Sequence, residues 1–323
     1  VNTMKLKAMY SFLSDDLAAV EEELERTVRS EYGPLGEAAL HLLQAGGKRI
    51  RPVFVLLSAR FGHYDFERIK HVAVALELIH MASLVHDDVI DDADVRRGRP
   101  TIKARWSNRF AMYTGDYLFA RSLERMAELD SPRAHQVLAK TIVEVCHGEI
   151  EQIKDKYRFD QPLRTYLRRI RRKTALLIAA SCQLGALAAG APETVANRLY
   201  WFGHYVGMSF QITDDILDFT GTEEQLGKPA GSDLQQGNVT LPVLYALCDE
   251  QVRAKITAVN ADTDAEEMAA VLAAIKQTDA IERSYALSDR YLEKALRLLG
   301  ELPANEARTL LHDLALYIGK RDY

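Results

Sequence analysis

Apolar residues return every three or four positions along this chain, and no stretch alternates in the manner of a half-buried strand. Leu13-Leu17-Val20-Leu24, Val137-Ile142-Val145-Ile150-Ile153 and Leu287-Tyr291-Leu292-Leu296-Leu299 each set their apolar side chains along one helical face. Between Ile69 and Val85 the polar face disappears: Val72, Ala73, Val74, Ala75, Leu76, Leu78 and Ile79 leave no side for water, the pattern of a helix at the centre of a bundle. The breaks are short. They fall at Gly33-Pro34, Gly46-Gly47, Gly62, Gly98-Arg99-Pro100, Ser131-Pro132, Gln161-Pro162, Ala191-Pro192, between Gly221 and Gly237, and at Pro303. None has the length or composition of a domain linker, and no fixed-period repeat is present. The expectation is one all-α domain over residues 1–323, a large bundle of about ten or more helices.

Composition excludes several classes of protein. With 48% hydrophobic and 27% charged residues the chain is ordinary globular material, neither disordered nor low in complexity. A net charge of −5 carries no electrostatic footprint for nucleic acid, so no nucleic-acid partner is expected. Cys146, Cys182 and Cys248 are odd in number and far apart, which suggests neither a disulfide framework nor a zinc site and fits a reducing cytoplasm. Thr174 to Pro192 approaches membrane-spanning length after a basic run, but Ser181, Gln183, Gly185 and the dominance of alanine make it a poor insertion sequence, and no transmembrane segment is expected. The run Arg168-Arg169-Ile170-Arg171-Arg172-Lys173 reads mostly as a solvated helix face. Val1-Asn2-Thr3, ahead of Met4, are set aside as an expected addition to the chain.

Two acidic clusters stand out against this background. His86-Asp87-Asp88-Val89-Ile90-Asp91-Asp92 ends the buried helix, and Asp214-Asp215-Ile216-Leu217-Asp218 follows another apolar run; both read DDxxD. Residues four apart share a helical face, so Asp87 points with Asp91 and Asp214 with Asp218. Like charges beside apolar residues are destabilising unless a cation joins them, and hard oxygen donors select Mg²⁺, which leaves most of its positions to water and phosphate. Cations complement the acids. Gly46-Gly47-Lys48-Arg49-Ile50-Arg51-Pro52 opens a helix, with Lys48 and Arg51 spaced to grip one anion. Arg96 and Arg97 follow the first motif, and Lys173-Thr174 and Lys228 lie further on. The inventory suggests two anionic sites, one bridged by metal and one held directly by Lys and Arg.

The Gly46–Pro52 and His86–Thr101 stretches, Gly115-Asp116-Tyr117-Leu118, Lys173-Thr174 and the segment from Gln211 through Asp233 resemble, in order, the motifs of the trans-isoprenyl diphosphate synthases. The resemblance covers roughly residues 35–244. It implies an isoprenoid synthase fold, helices around a central active-site cavity, and a head-to-tail 1'-4 condensation with isopentenyl diphosphate. In the family's pattern two or three Mg²⁺ ions hold an allylic prenyl diphosphate through Asp87, Asp91 and Asp214, with Asp88, Asp215 and Asp218 in support. Arg96, Lys173, Thr174, Gln211 and Lys228 match positions that hold the allylic diphosphate or steady its leaving group. Lys48, Arg51, His80 and Arg97 match those that hold isopentenyl diphosphate. An allylic cation forms, the double bond of isopentenyl diphosphate attacks it, and a proton passes to the released pyrophosphate.

The wording around both motifs is similar to that of the catalytic components of two-component bacterial heptaprenyl diphosphate synthases. That implies a C35 product for a menaquinone side chain, with C30 and C40 as the neighbouring lengths. It also implies a dissimilar small partner subunit (component 1) or a homodimer, and product release at a membrane surface. Product length is expected to be set along the helix before the first motif, where Ala82 and Ser83 are small and Ile79 lies one turn deeper. Two other readings use part of the same evidence. A class I terpene cyclase shares Asp-rich motifs but has no need of Lys48, Arg51 and Arg97. A di-iron carboxylate bundle could use Glu77-Leu78-Ile79-His80 and Glu144-Val145-Cys146-His147, but it leaves the cations unexplained.

Overall fold

Among the described residues of the computed structural model, eighteen α-helical segments, joined by a 3-10 turn, a π turn and one two-stranded hairpin, make up the regular structure, as the apolar periodicity requires. The structure describes residues 2–320, with side chains from Met4 onward; the expectation placed on Val1-Asn2-Thr3 falls on Val1 and two side chains outside the described residues. The chain forms two compact units. One comprises Val1–Thr141, Leu177–Trp201 and Leu298–Asp313; the other comprises Ile142–Leu176, Phe202–Arg297 and Leu314–Tyr323.

The first unit is organised on the Phe66–Ile90 helix. Asp65 caps it by accepting from the Glu67 amide at 3.2 Å. Its 25 residues span about 37 Å. Ile69, Val72, Leu76, Leu78, Ile79 and Ala82 are wholly inaccessible, so it is enclosed on every side as its sequence predicts. Each such leucine or isoleucine contributes about 1.5–3 kcal/mol. The helix packs on Ile50–Ser58, on Ser14–Val28 and along Asn108–Ala127. Close approach to Asn108–Ala127 depends on Gly115, where a Cβ would overlap the His86 ring. Past Asp91 the chain turns through Asp92, at φ 50°, into the hairpin of Val95–Arg96 with Arg99–Pro100, registered Val95 to Pro100 and Arg96 to Arg99. Strands of two residues are too short to show alternation, so the sequence reading contains no trace of them.

In the second unit the Leu163–Ile170 helix enters a π turn at Arg171–Ala175. Tyr166, Ile170, Ala175, Met208, Ile212 and Ile216 form one buried cluster there. The solvated face expected of Arg168 to Lys173 is corrected at two positions. Arg169 is buried, donating to Asp155 at 3.2 Å, Gln161 at 2.8 Å and the Val239 carbonyl at 2.6 Å. Arg172 pairs with Glu144 at 3.0 Å and with Glu151 at 2.6 Å. Acidic partners drawn from segments distant in sequence keep these charges in, which a one-helix reading cannot foresee. Among the described residues no helix is long and apolar enough to cross a membrane.

Candidate active-site residues

The first acidic motif is the C-terminal turn of the Phe66–Ile90 helix. Asp87 and Asp88 are buried, and the Asp91 amide donates to the Asp87 carbonyl at 2.8 Å, so the helical spacing of Asp87 and Asp91 is kept at the terminus. Hairpin residue Arg96 grips Asp88 at 2.7 and 2.9 Å. Burial pushes the Asp88 carboxyl up and Arg96 opposes that shift. Lys103 pairs with both Asp92 and Asp94 at 2.9 Å. Asp88, Asp92 and Asp94 thus pair with a cation of the protein, and Asp87 and Asp91 lie on one face of the helix within the field of Arg96. His86, wedged against Gly115, meets the Met112 carbonyl at 3.1 Å and Asp116 at 3.5 Å, which anchors the residue preceding the motif.

The cationic cluster of the same unit is built on the turn before Ile50–Ser58. Gly46 has φ 85°, and Arg97 donates to its carbonyl; a Cβ at Gly47 would lie 2.8 Å from the Arg97 guanidinium. Arg51 stands in the first helical turn, its pKa lowered to about 10 by burial and by Arg97, with Glu77 opposing. It stays charged at neutral pH. Burial, then Arg51 and Arg97, hold His80 well below its ordinary value, so it is a neutral ring at pH 7. Lys48, in the turn that carries Gly46 and Gly47, is exposed. Ala82 and Ile79, on the same helix as His80, are fully buried, and the half-buried Ser83 donates to the His80 carbonyl at 2.7 Å.

In the second unit Asp214 is exposed, while Asp215 and Asp218 are buried. Tyr166 donates to one oxygen of Asp215 at 2.6 Å and Gln211 to the other at 2.9 Å. Thr174 in turn donates to the Gln211 carbonyl oxygen at 2.6 Å. Burial first, then Asp233, pushes Asp215 up to about 8, against the pull of the Tyr166 and Gln211 hydrogen bonds. Lys228 bridges Asp218 and Asp233, each at 3.0 Å. Burial pushes Asp218 up and Lys228 opposes it. Lys173, in the π turn beside Thr174, donates to Gln152 at 2.6 Å. The structure therefore joins Thr174, Gln211 and Asp215 in one chain and Lys228 to Asp218 in another.

Tyr166, Asp233 and Gln152 have no assigned role in the sequence reading. Tyr166 lies four residues before Ile170 and reads as core, which it also is. The two Glu-x-x-His motifs are spent on arginine: Glu77 lies 3.4 Å from Arg49 and Glu144 3.0 Å from Arg172. Among the described residues no group of three or more His, Cys, Asp or Glu is gathered to hold a metal. Mg²⁺ commonly takes one or two carboxylates, a chemistry that Asp87 and Asp91, one turn apart, fit within the first unit and that Asp214 fits within the second.

Residues 34–278 match the family model for polyprenyl synthetase. Over 320 residues, 99% of this chain and 100% of the relative, the sequence is 89% identical to heptaprenyl diphosphate synthase component 2 of Geobacillus stearothermophilus. The crystal structure of heptaprenyl diphosphate synthase from Staphylococcus aureus is similar at a TM-score of 0.92 and 44% identity, over 96% of this chain and 99% of that one. The polyprenyl synthase of Caulobacter crescentus, crystallised with calcium and isoprenyl diphosphate, is similar at a TM-score of 0.93 and 31% identity, over 98% of each chain.

Proposed function

The chain belongs to the polyprenyl synthetase family, and from that membership we propose that its product is the C35 heptaprenyl diphosphate, made for a menaquinone side chain. It is a trans-polyprenyl diphosphate synthase, a prenyltransferase that condenses an allylic diphosphate with isopentenyl diphosphate. The observation that carries the product length is the 89% identity, over 99% of this chain, to a heptaprenyl diphosphate synthase component 2. The same relative's designation as a component supports a dissimilar partner subunit for this chain. The family model crosses from one compact unit into the other, which supports treating residues 1–323 as one functional domain. The three free cysteines accord with a cytoplasmic enzyme, and release of the product at a membrane surface suits a C35 hydrocarbon.

Asp87, Asp91 and Asp214 are assigned to two or three Mg²⁺ ions, which when bound supply Lewis-acid stabilisation of the charge on the departing pyrophosphate. Arg96, Lys173 and Lys228 add fixed positive charge for the same leaving group. Asp88 orients Arg96, and Asp218 orients Lys228, through the ion pairs described above. Asp215, taken up by Tyr166 and Gln211, orients Gln211 and through it Thr174 toward the allylic diphosphate. Lys48, Arg51 and Arg97 hold the diphosphate of isopentenyl diphosphate, and the neutral ring of His80 donates one N–H to it. Ala82, Ser83 and Ile79 bound the path of the growing chain.

Incorporation of labelled isopentenyl diphosphate onto an allylic primer, followed across Mg²⁺ concentration with the partner subunit present, tests the reading. Incorporation that saturates with Mg²⁺ and stops in EDTA is expected; incorporation undiminished in EDTA contradicts it.

A further inference from the structure

The Gly46–Arg49 turn holds a backbone conformation that its neighbours must maintain. Arg49, which is not glycine, sits at φ 50°. Such a conformation is strained for a residue with a side chain and persists only where surrounding contacts over-determine it. The Arg49 side chain makes those contacts itself. Its Nε and Nη2 donate to the two carboxylate oxygens of Glu21, each at 2.8 Å. Nη2 also donates to the Leu43 carbonyl at 3.0 Å, and Nη1 reaches Glu77 at 3.4 Å. The Tyr10 hydroxyl donates to the Lys48 carbonyl at 2.6 Å and fixes the adjoining residue. Although Arg49 is written into the same motif as Lys48 and Arg51, its side chain is 12% exposed and turned into the protein.

Glu77 is the second half of the arrangement. It is a carboxylate in an apolar stretch of the Phe66–Ile90 helix, 3% exposed, and its Oε2 has no hydrogen-bond partner. The Nε of Arg51 is likewise buried without one. A buried carboxylate oxygen left without a hydrogen bond destabilises the fold unless nearby positive charge compensates it. Burial pushes the Glu77 carboxyl up, and three guanidiniums, those of Arg49, Arg51 and Arg97, oppose that shift and favour its charged form. Arg51 and Arg97 repel one another, so without a shared negative charge they would spread apart and have to be regathered when an anion binds.

We propose that Glu77 and Arg49 are positioning residues for the isopentenyl diphosphate site: Glu77 is the counter-charge that keeps Arg51 and Arg97 converged before the diphosphate arrives, and Arg49, gripped by Glu21 and Glu77, sets the turn that presents Lys48. The inference rests on assigning Lys48, Arg51, His80 and Arg97 to that diphosphate. The cost of removing Glu77 therefore falls on the affinity for isopentenyl diphosphate and leaves the metal-dependent allylic substrate untouched.

Isothermal titration of the full chain with isopentenyl diphosphate, in EDTA and without primer, reads the affinity in the absence of turnover. Glu77→Gln is expected to raise Kd about tenfold and Glu21→Gln about threefold, while Glu77→Asp, which keeps the charge, recovers at least part of the loss. Mg²⁺-dependent affinity for an unreactive thio analogue of an allylic diphosphate stays at the wild-type value. Arg51→Ala tests the underlying assignment in the same titration. If Arg51→Ala weakens binding while Glu77→Gln and Glu21→Gln do not, the positioning roles are overturned and the site stands. If Arg51→Ala binds like wild type, the site assignment falls and the roles fall with it. Equal losses for both ligands indicate general disorder and also overturn the proposal. Glu21, with a side chain 39% exposed, tolerates substitution, so Glu21→Gln decides the matter should Glu77→Gln fail to fold.

Discussion

Asp87 and Asp88 are neighbours in sequence with different surroundings: Arg96 grips Asp88 at 2.7 Å, and Asp87 shares a helical face with Asp91. Asp87→Ala should lower kcat by at least about a hundredfold, the scale of losing one electrostatic contributor to charge development. The melting temperature should hold or rise, since like-charge repulsion is relieved; steady-state kinetics beside a thermal melt checks both. Asp88→Asn should instead destabilise the fold by about 1.5–3 kcal/mol, the worth of a hydrogen bond to a charged group. On the proposed division of the cations by substrate, Lys48→Ala and Arg51→Ala should raise KM for isopentenyl diphosphate, and Lys173→Ala should raise KM for the allylic partner. Equal effects of all three on both substrates contradict the division. The acidic motifs were legible because carboxylates beside apolar runs need a reason. Tyr166 was not, because a tyrosine that carries a buried hydrogen bond has the same helical spacing as one that only packs.

Two helical elements carry consequences of their own. Along Phe66–Ile90 one turn rises about 5.4 Å, close to an isoprene unit, and Ala82, fully buried, lies little more than one turn before the aspartates proposed to hold Mg²⁺. Ala82→Phe should stop growth there and shift products toward C15 to C20 with turnover retained. Were Ala82 small only for packing, the variant would lose about 1–3 kcal/mol of stability without altering the product distribution. On Glu193–Thr220, His204 is buried, its pKa lowered to about 4 by desolvation and then by Arg171. The folded form binds fewer protons than the unfolded chain, so this site leaves stability unaffected above about pH 6.5 and costs progressively more as the pH falls toward 4. The loss reaches about 3 kcal/mol at most. Denaturant melts of wild type and His204→Phe between these limits should diverge, the variant being the less pH-sensitive; parallel curves would remove His204 from the account. The existence of these helices followed from periodicity, whereas the π turn at Arg171–Ala175 did not, since a single extra residue in one turn leaves no mark on an apolar repeat.

For the whole molecule, apolar period alone indicated an all-helical protein, while the division into two compact units left no linker to read, because each unit is assembled from three separate stretches of chain. The hairpin at Val95–Pro100 was hidden for the same reason of scale, although it carries Arg96 and Arg97. Assembly makes a further prediction: sedimentation should show this chain combining with a smaller, dissimilar subunit, and activity should be weak without it. Full activity as a homodimer contradicts that part of the account. The most direct test of the central claim is the mass of the product formed by the complete enzyme from isopentenyl diphosphate, an allylic primer and Mg²⁺. The account predicts an all-trans C35 diphosphate; a cyclised hydrocarbon with no isopentenyl units added would contradict it.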